Sequence, residues 1–274
     1  MDADTLPVGL QELAGFGRGL TQSQKSSIHT SLIITQSQNK FSAIRFWGTI
    51  SGIKEDYFIV YGINKDELNG RKYMYSLNCM DWHLLQDPSE ETMTKTDVIR
   101  GRFIGDPSYE YEHVDVQRIG EGDDAHDEET VFTIKEEDRL SAIVHRITAE
   151  FIVPRGALLQ APNGVVYKNN GYFGHNESDS AHLSTWFHFR KDAKHVVPKV
   201  TDFADADPAV DFLATIENDI PNGIWSVQNQ NGKSIILKNL HWIGLVAYTV
   251  PDTRLYGCAY FGTGEPNYDL PFML

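Results

Sequence analysis

The chain has 274 residues, a formal charge of −14, and 41% hydrophobic and 23% charged residues, the proportions of an ordinary folded protein long enough for one large domain. So acidic a chain gains no counterion-release affinity for nucleic acid and is repelled by anionic membranes, and no apolar run approaches the roughly 18 residues of a membrane helix. The opening MDADTLPVGLQELAG has no basic n-region, so no secretory or mitochondrial leader is expected, and the two cysteines, Cys79 and Cys258, are expected as free thiols in a reducing, cytoplasmic compartment.

The glycine-rich GFGRG at 15–19 lacks the lysine and the spacing of a phosphate loop, and residues 1–19 read as a flexible N-terminus. A helix is expected over 20–40, with Thr21 or Ser23 as N-cap and Leu20, Ile28, Leu32 and Ile33 on its apolar side. FSAIRFWGTISGI and DYFIVYGI are rich in β-branched and aromatic residues and read as a hairpin over 42–53 and 57–63. RKYMYSLN and DWHLL make a second pair over 71–78 and 81–85, followed by a short helix over 89–98.

The stretch GEGDDAHDEET at 120–130 holds six acids and no base. It reads as a flexible acidic loop within 117–131, with a calcium site as the competing reading. That alternative is weak, because the alternating ligands, central glycine and closing glutamate of an EF-hand are out of order. In TIKEEDRLSAIVHRITAEFIVPRGAL, Thr133 and Glu136 have capping-box spacing. Leu140, Ile143, Val144, Ile147 and Phe151 form one helical stripe, and Pro154 stops it. A small hairpin is expected over 157–168 around the Asn-Gly of APNG. A short helix follows in SDSAHLSTWFHF, then another capped by Asp205 or Asp207 and ended by Pro221 and Gly223. GIWSVQ, SIILKNL, WIGLVAYTV and YGCAYFG are four further strands. The fold class is α+β: antiparallel β meanders at both ends with interspersed helices, in a single compact domain spanning 1–274.

No catalytic, cofactor or metal residues emerge. Cys79 and His83, or His182 and His188, do not have spacings that converge on an ion. Ser108 and His113 are neighbours in sequence only, and a raised carboxyl pKa cannot be located among 38 acids. What stands out is a set of aromatics outside strict core periodicity, Tyr109, Tyr111, Trp186, Phe187, Phe189, Tyr268 and Phe272, which are candidate protein-interface residues or satellite core under loops. In the terminal YFGTGEPNYDLPFML, Gly262 and Gly264 read as turn formers at a strand exit. Pro266 and Pro271 read as stiffeners of an extended tail.

FWGTISG, DYFIVYGI, YSLNCMDWHLL, GRFIGDPSYEYEH, PRGAL, FHFR, DIPNGIWSVQ and GTGEPNYDLPFML occur in one order. Together they closely resemble the radial spoke head protein 9 family nearly end to end, and GDPSYEYEH and DLPFML are its specific segments. LHWIGLVAY is also similar to a strand of the larger spoke head paralogues, with Ile243 where proline is usual. The resemblance implies a structural, non-enzymatic subunit without cofactor, located in the cilium or flagellum axoneme. It implies larger paralogous head proteins and a MORN-repeat head subunit as partners, a transient contact of the head with the central pair apparatus, and no direct grip on acidic tubulin. An acidic calcium-responsive interaction module and an acid-base hydrolase with buried carboxylates are the alternatives.

Overall fold

A computed structural model describes residues 1–13, 19–119, 126–190 and 207–273, with side chains undescribed at 115–119 and 126–130. The elements in order are α1 (Leu6–Glu12), α2 (Gln22–Asn39), β1 (Ala43–Ile50), β2 (Tyr57–Ile63), β3 (Lys72–Ser76), β4 (His83–Leu85), α3 (Glu90–Val98), β5 (Glu110–Ile119), β6 (His126–Lys135) and α4 (Glu136–Ala149). They continue with β7 (Ile152–Pro154), β8 (Leu158–Gln160), β9 (Val166–Lys168), α5 (Glu177–Ser180), β10 (Trp186–His188), β11 (Trp225–Asn229), β12 (Ile235–Asn239), β13 (Leu245–Thr249) and β14 (Tyr256–Gly262). The α+β class holds, but the two expected meanders are one sheet, in the order β11-β12-β13-β14-β1-β2-β3-β4. The last strand lies parallel to the first, in a register that pairs Gly48 with Tyr260 and Ile50 with Gly262; the other neighbours in this sheet are antiparallel.

That seam explains the glycine of FWG. The β1–β2 register slips at a bulge between Phe46 and Gly48. Gly48 has φ +146°, and a Cβ there would lie 2.0 Å from the Tyr260 carbonyl oxygen. Only glycine allows the two strands to approach so closely.

Both faces of the central strands are buried, which is why β1, β2, β13 and β14 read as continuous apolar runs, while the edge strands β4 and β11 are largely exposed. Tyr57, Ile59, Tyr61 and Ile63 of β2 enter one core with Leu140, Ile143, Val144 and Ile147 of α4. Phe58 and Val60 enter the other, with Leu6, Leu10, Ile28 and Leu32 of α1 and α2. The first thirteen residues therefore correct the expectation of a flexible N-terminus. Met1, Ala3, Leu6, Leu10 and Leu13 are buried, and the Met1 nitrogen donates to the Phe46 carbonyl at 2.9 Å. Buried Arg45 fastens them from the side: it reaches Asp2 and grips both Glu67 carboxylate oxygens at 2.5 and 3.0 Å, while Lys168 pairs with Asp2 at 2.6 Å. Burial alone would raise the Asp2 carboxyl, but Arg45 and Lys168 outweigh it and hold the group well below the usual carboxylate range.

In α2 the Thr21 hydroxyl accepts from Gln24 N–H and the Gln24 side chain accepts from Thr21 N–H, a complete capping box. Ile28 and Leu32 are buried, whereas Ile33, expected beside them, is 49% exposed because it falls about 100° round the helix from Leu32. The expected capping box at α4 does not form. Lys135 is the N-cap without a side-chain bond, because Thr133 is still in β6 and Glu136 turns inward. The helix also ends at Ala149, before Phe151 and Pro154, and Pro154 is the last residue of β7.

Residues 117–131 are another correction. Glu110–Ile119 and His126–Lys135 pair over ten positions as a two-stranded ribbon; residues 120–125 of the expected loop lie outside the described residues. The long helix expected after Asp205 or Asp207 is likewise absent from 207–219. There Asp207 Oδ1 accepts from Ala209 N–H in a local turn, and one 3₁₀ turn follows at Ile216–Asn218; Asp205 lies outside the described residues. Within SDSAHLSTWFHF the helix is only α5, and the aromatic end is β10.

Glu136 is the polar centre of the α4 side, and its residue is fully buried. Its carboxylate accepts from Tyr57 Oη at 2.7 Å, from Ile104, Gly105 and Asp106 N–H at 2.7, 2.7 and 3.0 Å, and from Tyr111 Oη. Burial by itself would raise this carboxyl, but the hydrogen bonds from Tyr111, Tyr57 and the backbone outweigh it and hold the group below its ordinary range.

Leu10→Ala is expected to cost about 3 kcal/mol in urea unfolding, where a loose N-terminus would give no change. Glu136→Ala orphans two hydroxyls and three N–H groups and should cost about 3–5 kcal/mol at pH 7. Because the folded carboxyl is depressed, its stabilisation is present above the ordinary glutamate pKa and is lost as pH falls through the lower folded value. The gap in unfolding free energy between wild type and Glu136→Gln should therefore narrow in acid titrations monitored by circular dichroism.

Candidate interaction surface

The seven aromatics divide sharply. Trp186, Phe187 and Phe189 are 1%, 7% and 3% exposed and belong to the core. β10 pairs with β7, setting Trp186 opposite Pro154 and His188 opposite Ile152. Trp186 Nε1 donates to the Ser180 carbonyl at 3.0 Å, and the Arg71 guanidinium lies 4.0 Å from the Phe189 ring centre. Their aperiodic spacing came from a three-residue strand too short to show alternation. Tyr111 is half-buried and committed to Glu136, with Arg139 over its ring at 4.8 Å. Burial pushes its phenol up to about 12. Tyr109 is 42% exposed, edge-on to Tyr111.

Tyr268 and Phe272 remain as surface, 54% and 89% exposed, with Met273 at 63%. Tyr260 Oη accepts from Gly264 N–H at 2.9 Å, and Glu265 Oε1 accepts from Gly101 N–H at 2.8 Å. Asn267 N–H reaches the His241 carbonyl at 2.7 Å, and its side chain reaches Leu240. Gly264 has φ +79° and a site where a Cβ would meet the Phe103 ring at 2.7 Å. The tail is thus bolted to the body through residue 267. Leu270 is buried and a 3₁₀ turn, Leu270–Phe272, follows in place of the expected extended chain. That turn leaves Phe272 and Met273 facing out.

Two concavities open on the described surface, one beside the C-terminal segment and one at α2. One, of about 450 Å³, lies between the end of α3, α4 and the C-terminal segment. The other, of about 750 Å³, separates α2 from the β3–β4 turn; Trp82 Nε1 donates to Ser31 Oγ there, and Ile34 and Met80 are 52% and 61% exposed. The second was missed from sequence, although Ile33-Ile34 next to the buried Ile28–Leu32 pair is a signal that one of the adjacent isoleucines must point away.

Among the described residues, Glu150, His188 and Asp219 bring ligand-type atoms within 4.8 Å of one another. His188 Nε2 lies 2.8 Å from Asp219 Oδ1, Trp225 Nε1 donates to Asp219 Oδ2 at 2.8 Å, and Arg190 donates to Glu150 at 3.2 Å. This network ties FHFR to DIPNGIW. Burial pushes the Cys79 and Cys258 thiols up to about 11 and about 12, leaving both as inert protonated thiols at neutral pH.

No protein-family model matches the chain. It is 43% identical to a human protein named radial spoke head protein 9 homolog, over 276 residues covering all of both chains. The mouse and zebrafish proteins of the same name are 44% and 41% identical, again over the full length of each. The chain belongs to the radial spoke head protein 9 family. In this member GDPSYEYEH is the Glu136 clamp. PRGAL supplies Arg155, which grips Asp211 through two bonds at 2.6 and 2.7 Å. The stretches that carry the family likeness are to a large extent joints of the fold.

Trp186→Ala should cost about 3–5 kcal/mol in urea unfolding, and Phe272→Ala should stay within about 0.5 kcal/mol of wild type. Equal effects would mean that the buried and exposed aromatics are misassigned.

Proposed function

We propose that this chain is a structural subunit of the radial spoke head in the axoneme of motile cilia and flagella. It assembles with the larger paralogous head proteins and the MORN-repeat subunit, and the head so built passes signals between the central pair and the dynein arms. Full-length likeness to proteins named as radial spoke head components carries this reading. The geometry supports it. The C-terminal segment is fixed through residue 267 and then presents Phe272 and Met273 as an unsatisfied apolar edge, the arrangement of an interface anchor.

The role is read as non-catalytic. A general acid or base needs a proton to move at working pH, yet Glu136 is held ionised with its lone pairs occupied by five donors, and the Asp219 carboxylate is engaged by His188 and Trp225. These groups are spent on position.

Co-expression with the other head subunits tests the reading. Wild type should co-purify with them, and Phe272→Asp with Met273→Asp should lower recovery about tenfold or more, a loss of at least ~1.4 kcal/mol, with unfolding unchanged. Undiminished recovery would remove the tail from the interface, and no co-purification of wild type would sink the assembly role.

A further inference from the structure

The eight-stranded sheet ends in two edges, and they are built differently. β4 is three residues long, Pro88 follows it, and Ser141 of α4 donates to the Gln86 carbonyl just beyond it. A short strand, a proline and a covering helix are ways in which proteins blunt a sheet edge. β11 has none of them. It runs five residues, Trp225–Asn229, pairs with β12 without a register shift, and has no strand on its other side. Residues 224–232, IWSVQNQNG, carry neither charge nor proline, and Ser226, Val227, Gln228 and Asn229 are exposed.

The register fixes which backbone groups face outward. Gln230 N–H donates to the Ser234 carbonyl and Leu240 N–H to the Ile224 carbonyl. Bonded and non-bonded pairs alternate in an antiparallel ladder, so Ser226 and Gln228 also turn their backbone groups towards β12. Trp225, Val227 and Asn229 turn theirs away, and those groups have no partner among the described residues. The three outward sets are symmetric about Val227.

We propose that β11 pairs antiparallel with β11 of a second copy of this chain, across a two-fold axis at Val227, and so joins two eight-stranded sheets into one. Val227 then faces the partner's Val227, Trp225 faces the partner's Asn229, and every outward N–H and C=O along the strand is paired. Charge selects this occupant. Two chains of net charge −14 repel, and they approach at least cost where neither strand presents a charge. The two acids that touch this strand already have donors: Glu177 accepts from the Asn229 side chain, and Asp219 from Trp225 and His188. The β5–β6 ribbon fails the same condition, because β5 carries Glu110 and Glu112 and β6 carries Asp127, Glu128 and Glu129, so a copy pairing there brings acids against acids. A second copy matches the β11 edge in length, register and neutrality at once. Five residues make a small contact, so the dimer is a weak one, formed at micromolar rather than nanomolar concentration.

Sedimentation equilibrium on the full chain tests it. The mean mass should rise from that of one chain towards that of two as concentration increases through the micromolar range, and more readily at high salt, which screens the repulsion between the two net charges. Val227→Lys sets two cations face to face at the axis and should weaken the dimer about tenfold or more. Val227→Cys gives a second reading. Hydrogen-bonded partners across an antiparallel pair lie about 5.5 Å apart at Cα, within reach of a disulfide, so mild oxidation should link two chains of this variant covalently. Wild type, with Cys79 and Cys258 both buried, should stay unlinked. A chain that remains monomeric throughout, or a dimer that survives Val227→Lys and gives no Val227→Cys cross-link, overturns the proposal. A dimer lost with Phe272→Asp and kept with Val227→Lys overturns it as well, since the contact then lies at the tail. The dimer is a property of the isolated chain, and either outcome leaves assembly with the head subunits, read by co-purification, as a separate question.

Discussion

The Glu136 carboxylate is the constraint on which the α4 side of the molecule depends. One buried anion takes donors from β2, from the 104–106 loop and from β5. It also sits at the first turn of α4, where the helix dipole favours negative charge. Isolated, such a charge would be strongly unfavourable inside a protein; fully hydrogen-bonded, it becomes a rigid joint. The next turn of α4 adds Arg139, stacked on Phe103 and Tyr111. The loop after α3 is thereby pinned by an anion and a cation one helical turn apart, and the β5–β6 ribbon leaves the body from a fixed root. The close fit at that root also explains Gly105, which has φ +91° and a Cβ position 2.4 Å from the Glu55 carbonyl oxygen.

Much of the strand pattern was legible because a sheet whose central strands are buried on both faces is written as dense β-branched and aromatic runs, with hairpin turns marked by Asn and Gly. β1 through β4 and β11 through β14 are all readable in this way. The parallel seam between β1 and β14 was not, since no local pattern encodes which strand a chain end will meet; its trace is Gly48, whose need appears only once Tyr260 lies against it. The first thirteen residues misled for a related reason. Their apolar residues cover a face of the sheet built by strands far along the chain, so their burial is invisible until that face exists.

The candidate surface was legible in part for an instructive reason. Aromatics off the helical or strand period can be core under irregular backbone or can be exposed contact residues. Trp186 and Phe189 are the first kind and Phe272 the second, and spacing alone does not separate them. Glu136 was misread in the same way: a glutamate at capping-box spacing looks like a helix cap, and only the backbone of residues 104–106 arriving from elsewhere turns it into the centre of a clamp. Sequence shows which residues can make a polar joint, whereas topology decides which ones meet.

This division bears on how a scaffold subunit works. The segments by which the chain resembles its family are engaged in internal joints: GDPSYEYEH with Glu136 of α4, PRGAL through Arg155 with Asp211, and FHFR through His188 with Asp219 of DIPNGIW. Polar groups spent this way set a unique shape but cannot also grip a neighbour. The fold leaves other side chains outside these joints: Phe272 and Met273 on the anchored tail, and Ile34 and Met80 along the α2 groove, are exposed. A densely packed interior joined in this way at Glu136, Arg155 and Asp219 deforms little.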